Sequence, residues 1–155
     1  MQESAYQDGR TRCAARKEIT MGKPSVEQGL LFMEYYKMWD TPFDNEAWNT
    51  FRRLSAARAF ADYPAFREAV PSGDNQMGHV DRVLCAFEQA AVLMKHDLLH
   101  PDLYFESWAD PVIVWTRVAP VVEGMRHEGS TEAYKGLEWL AERCRDWRRE
   151  RADAQ

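Results

Sequence analysis

Four times along this chain a residue able to cap a helix stands at or just before a proline: Thr41-Pro42, Asp62-Tyr63-Pro64, His100-Pro101 and Asp110-Pro111. A proline in the first turn of a helix lacks only an N–H that would go unbonded there, and the side chain ahead of it can accept from the next free donors. Each of these places therefore reads as a helix start. No stretch between them alternates strictly enough between apolar and polar residues to form a strand.

The apolar spacing fills in the rest. Ser25 with Gln28 has the form of a capping box, and Val26, Leu30, Met33 and Tyr36 or Lys37 follow at helical spacing, with Leu31, Phe32, Tyr35, Met38 and Trp39 widening the apolar face of a first helix. A second helix runs from Thr41 to about Ala59, with Phe43, Ala47, Trp48, Phe51, Leu54 and Ala57 on its apolar side and Arg52, Arg53 and Arg58 on its wetter side. A short helix opens at Asp62 and ends by Val70, before the loop Pro71-Ser72-Gly73-Asp74-Asn75. Residues 76–95 carry the cleanest stripe, Val80, Val83, Leu84, Phe87, Ala90, Ala91 and Met94, which predicts the central helix. A short helix follows over residues 100–108, then one over residues 110–127 in which Pro120 should produce a bend or a break. Gly129-Ser130 closes that helix and is expected to cap the last, where Tyr134, Leu137, Leu140, Cys144 and Trp147 share a face. The prediction is an all-α, single-domain helical bundle of about five main helices and two short ones over residues 24–152, preceded by a flexible arm at residues 1–23.

Composition bounds the function classes. The formal net charge is -5, which argues against a sequence-independent grip on nucleic acid phosphates and favours a protein partner. Apolar runs such as residues 112–115 and 118–122 fall far short of the roughly 20 residues that cross a bilayer, so no membrane association is expected. Cys13, Cys85 and Cys144 are odd in number and far apart, which fits reduced thiols and a cytoplasmic setting.

Phe87-Glu88-Gln89-Ala90, then Trp115, Pro120, Arg126, Tyr134 and Leu137-Glu138-Trp139-Leu140, with Trp39-Asp40-Thr41-Pro42 and Ala47 upstream, resemble a family of bacterial and phage helical domains of unknown function. The resemblance covers residues 25–147 and implies a helical fold without an established activity. Members of that family often carry membrane-spanning segments ahead of this region, and this sequence shows none.

Among polar residues, Glu88 lies at the edge of the central stripe, where a carboxylate needs a partner, and Arg126 or Arg117 is the natural one. An interhelical ion pair between Glu88 and Arg126 is the expected arrangement. His96 and His100 have the spacing by which one helix presents two imidazoles to a metal, with Asp97, Asp102 or Glu88 to complete the shell. Pro101 disfavours helical geometry at His100, so the structural reading is a polar connection with His100 near a helix N-cap. Arg143, Arg145, Arg148, Arg149 and Arg151 surround Trp147, yet Glu142, Asp146 and Glu150 are interleaved, which predicts a solvated, salt-bridged helix end rather than a phosphate site. The aromatic surplus is the main functional lead. Tyr35, Tyr36, Trp39, Tyr104, Phe105 and Trp108, with Trp48 nearby, exceed what one stripe per helix needs, so they form either a tightly enclosed core or an exposed face. The expected function is a non-enzymatic interaction module, a regulator or inhibitor that binds a protein or a second copy of itself through that aromatic face, with no cofactor. The alternative is a metal-dependent enzyme or sensor built on His96 and His100.

Overall fold

The computed structural model describes residues 22–154, which hold seven helices and no strand. These are α1 (Val26–Met38), α2 (Pro42–Ala56), α3 (Tyr63–Ala69), α4 (Asn75–Lys95), α5 (Pro101–Ser107), α6 (Pro111–His127) and α7 (Lys135–Asp153). The cap-and-proline starts are realised as hydrogen bonds. Thr41 accepts from the Asp44 N–H, Asp62 from that of Ala65, the His100 ring from that of Asp102, and Asp110 from that of Val112. Ser25 and Gln28 form the reciprocal box that starts α1. The expected arm at residues 1–23 lies outside the described residues, as does Cys13, except for Gly22 and Lys23.

The predicted central helix is central. α2 and α7 pack against α4, α6 packs against α7 and carries α3, and α1 rests on α5. Val80, Val83, Leu84, Phe87, Ala90, Ala91 and Met94 are all buried, joined by Ala47, Phe51 and Leu54 from α2 and by Leu137, Leu140 and Ala141 from α7. Alanines at the α2–α4 and α4–α7 contacts let the helix axes come close, while Phe51 and Phe87 fill the space between layers. Gly124 on α6 serves a similar end, because a Cβ there would meet the Cβ of Tyr63 at 2.3 Å, so its absence lets α3 lie against α6.

Of the bend or break expected at Pro120, the break does not occur: α6 is continuous from Pro111 to His127, and the proline and Thr116 are both on the exposed side, where water can serve the carbonyl that loses its donor. Three further expectations give way. Phe43 and Ala57, placed on the buried side of α2, are exposed. On α1 the apolar register is reversed: Val26, Leu30 and Met33 point outward while Phe32, Tyr35 and Trp39 are buried. Ser130 does not cap α7, whose first turn begins five residues later behind Tyr134 in the left-handed region at φ 50°.

The cap of α7 comes from another helix. The Glu88 carboxylate on α4 accepts from the Leu137 N–H at 2.6 Å, where the positive end of the α7 dipole favours a negative charge. The predicted Glu88–Arg126 ion pair is therefore not formed; Arg126 pairs with Glu138 at 2.9 Å and donates to the Ala133 carbonyl. A carboxylate can be satisfied by backbone donors as well as by a guanidinium, and the helix N-terminus offers them. Gly136 makes room for this contact, since a Cβ there would lie 2.7 Å from Glu88 Oε2 and the carboxylate would have to shift off the N–H. Gly136→Ala should destabilise the chain by about 1–3 kcal/mol in urea unfolding, although alanine is the better helix former by about 1 kcal/mol. In a Glu88→Ala background the same change should become neutral or stabilising, and an unaltered penalty there would show that Glu88 is not what the glycine accommodates.

Candidate interaction surface

The six aromatics singled out above differ in burial. Tyr35, Trp39 and Tyr104 are buried, Phe105 and Trp108 are half-buried, and Tyr36 alone is exposed. Tyr35 sits at the centre, edge-on to Tyr104 at 5.9 Å and to Trp108 at 5.6 Å, with its hydroxyl donating to the Ala86 carbonyl of α4 at 2.8 Å. Burial pushes the Tyr35 and Tyr104 hydroxyls up in pKa, so both stay neutral. Tyr36 packs edge-on against Trp108 at 5.2 Å. Phe105 turns the other way, onto Trp147, whose indole N–H donates to Asp102 at 2.7 Å and ties α5 to the end of α7. The surplus is thus mostly the joint by which α1 and α5 are held to the bundle, and the expected exposed aromatic face is reduced to Tyr36 with the edge of Trp108.

The far end of α1 is held by charge. Arg82 on α4 donates through Nε to Asp44 at 2.6 Å and through Nη2 to the Met38 carbonyl at 3.2 Å, and its guanidinium lies 3.8 Å from the centre of the Trp39 ring. Asp44, only 3% exposed, also accepts from the Thr41 N–H and hydroxyl. One guanidinium thereby fastens the end of α1, the start of α2 and the flank of α4. Burial acts to raise the Asp44 carboxyl, but the hydrogen bonds from Arg82 and Thr41 and the charge of Arg82 outweigh it and hold the group below the usual carboxylate range.

With its inner side so engaged, α1 turns a second apolar side outward. Val26 is 76% exposed, Leu30 64%, Met33 52% and Tyr36 39%. At 100° per residue Val26, Leu30, Met33 and Lys37 form one stripe, with Glu27 and Glu34 along one edge and Gly29 and Tyr36 along the other. Nothing lies within 4 Å of where a Gly29 Cβ would be. The signal for this surface in the sequence is a helix apolar on more than one side, and spacing alone turns the wrong side inward.

The domain family described as a domain of unknown function, DUF4760, matches residues 33–144. The chain belongs to the DUF4760 family. Neither a curated protein nor a solved structure matches it. The DUF4760 match spans the helices from the middle of α1 to most of α7, so Val26 and Leu30 precede it.

The remaining candidates in this DUF4760 chain do not converge on chemistry. His96 is the exposed C-cap residue of α4, and His100 is buried at the start of α5 with both ring nitrogens engaged. Nδ1 accepts from the Asp102 N–H at 3.2 Å and Nε2 donates to the Gly22 carbonyl at 2.8 Å, which leaves no lone pair for a metal. Among the described residues no group of three or more histidine, cysteine, aspartate and glutamate side chains could hold a metal ion. The arginines near Trp147 are largely spent on acids: Arg148 pairs with Asp110 at 2.6 Å, Arg151 with Glu106 at 2.6 Å, and Arg143 with Glu150 at 3.2 Å. Burial pushes the Cys85 and Cys144 thiols up, away from the thiolate that a nucleophile needs. No described helix is long and apolar enough to cross a membrane.

Because the Asp44 carboxyl titrates lower in the folded chain than in the unfolded one, its contribution is complete above the unfolded value near pH 4 and fades as pH falls through the lowered folded value. Stability measured by urea unfolding should decline below about pH 4, and Asp44→Asn should be less stable by about 1–3 kcal/mol at pH 7 with a shallower acid slope. Equal slopes in the two proteins would remove Asp44 from the account.

Proposed function

We propose that this chain is a non-enzymatic protein-interaction module whose contact face is the outer side of α1, and that its partner is an amphipathic helix carrying lysine or arginine beside an apolar stripe. The observation that carries this reading is the exposed run Val26, Leu30, Met33 and Tyr36 on a helix already anchored through its opposite side. Covering a valine, leucine or methionine of this kind is worth about 1.5–3 kcal/mol each before the costs of association. The open space over Gly29 allows a second backbone to come close.

Charge selects among occupants. Glu27 and Glu34 edge the stripe, Glu34 in an exposed pair with Lys37 at 2.7 Å, and the chain as a whole carries -5. An antiparallel second copy would set this acidic edge against itself, because a two-fold axis brings like edges together, whereas a basic helix would meet it with opposite charge. Occupying a partner's helix in this way is how a regulator or inhibitor of this size would act. The free thiols of Cys85 and Cys144 fit a reducing, cytoplasmic setting.

A synthetic amphipathic peptide with a leucine stripe flanked by lysines should bind the chain in fluorescence titration, and the same peptide with glutamate in place of lysine should bind at least tenfold more weakly. Leu30→Asp and Met33→Asp should each cost tenfold or more in affinity with the far-ultraviolet circular dichroism unchanged. Binding indifferent to both substitutions would sink the α1 face as the contact, and a concentration-dependent dimer in sedimentation, lost in Leu30→Asp, would make a second copy the occupant instead.

A further inference from the structure

Away from α1, the end of α2 and the middle of α6 enclose a groove of about 530 Å³, the size of a small-molecule site. Arg52, Arg58 and Arg117 line it together with Ser55, Ala56 and Phe60, and no acidic residue does. None of the three arginines has a carboxylate pair among the described residues, whereas Arg67, Arg82, Arg126, Arg143, Arg148, Arg149 and Arg151 each have one; Arg53, bonded to Gln76, and Arg145 form no such pair either, but neither lines the groove. Three like charges converging without counter-charge, on a chain whose net charge is -5, repel one another and are relieved by an anion placed between them.

The backbone supplies a separate observation. Arg58 follows the end of α2 with φ at 59°, in the left-handed region, where the Arg58 N–H bonds to the Ser55 carbonyl at 3.1 Å and the Ala59 N–H to the Leu54 carbonyl at 3.0 Å. This is the helix-ending turn that glycine makes without steric cost. Arginine stands there instead, and its side chain lines the groove. Arg52 is steadied by Asn49 at 3.3 Å and by the Trp48 ring, which holds one of the three cations at the rim.

We propose that this groove binds a small, multiply charged oxyanion, held by the planar guanidinium forks of Arg52, Arg58 and Arg117. Such forks fit phosphate and carboxylate oxygens in pairs. The site is independent of the α1 surface and stands or falls without it.

Calorimetric titration of the full chain at low ionic strength with inorganic pyrophosphate, and separately with citrate, tests the groove and distinguishes phosphate from carboxylate chemistry. One saturable site for at least one of them is expected. Arg52→Gln and Arg117→Gln should each weaken it tenfold or more, while Arg67→Gln, which removes the same charge elsewhere, should leave it unchanged. Arg58→Gly should weaken binding and also raise the thermal midpoint by about 2–4 °C as the strained turn relaxes. Absence of saturable binding to both anions, or an equal loss in Arg67→Gln, would overturn the proposal; the thermal midpoint of Arg58→Gly needs no ligand and reads the strain by itself.

Discussion

The structure depends on the burial of α4 on both flanks. Its alanines admit α2 and α7 at close range, and each interface is then locked by a polar group that α4 places at its margin. Glu88 takes the Leu137 N–H in the first turn of α7, Arg82 gathers Asp44 of α2 and the Met38 carbonyl of α1, and the Ala86 carbonyl receives the Tyr35 hydroxyl. His79 adds a contact to Thr50 of α2 at 2.9 Å, and Asp81 accepts from Tyr134 at 2.7 Å. Apolar contact supplies most of the free energy, but it tolerates sliding and rotation. The directional bonds fix which residue of α4 meets which neighbour, because each of them is lost if a helix moves by one turn.

α1 is held differently from the other long helices. Its inner side is almost wholly aromatic, and rings meeting edge to face leave polar atoms with nowhere to go: Trp39 Nε1, Trp108 Nε1 and the Tyr104 hydroxyl are buried without a hydrogen-bond partner of good geometry. Each such atom costs roughly 1–3 kcal/mol. α1 has its main helix contact with the short α5 and is tied to α4 by the Tyr35 hydroxyl and by Arg82. Covering the apolar side that α1 offers to solvent would add to these contacts and stabilise it directly.

Helix starts were legible in the sequence because capping is local: Thr41, Asp62, His100 and Asp110 act on donors two or three residues away, and a proline beside them leaves one reading. The α4 stripe was legible for the same reason, since its polar residues leave a single apolar side. α1 was not, because Val26, Leu30 and Met33 are as apolar as Phe32, Tyr35 and Trp39, and only tertiary packing chooses between two such sides. The larger rings won the interior, as their greater apolar area predicts. Glu88 was recognised as an acid in need of a partner, but its partner is a backbone N–H, which has no residue type to search for. The available signal was Gly136, a glycine in the first turn of a helix that otherwise favours long side chains. His96 and His100 share no helix, as Pro101 implied: the chain leaves α4 at Asp97, where φ is 57°, and His100 caps α5.

Arginine placement carries the remaining argument. Along α7 the basic residues alternate with acids at pairing distance or reach across to Asp102, Glu106 and Asp110, so that helix presents little net field despite its composition. Beside the end of α2, Arg52, Arg58 and Arg117 line one groove and no acid lines it with them. A charge run within one helix is visible in sequence and is mostly neutralised by its own neighbours; the gathering of residues 52, 58 and 117 is visible only in the folded chain. What sets the proposed anion groove apart from the salt-bridged face of α7 is the absence of acid in its lining, and that property belongs to the packing.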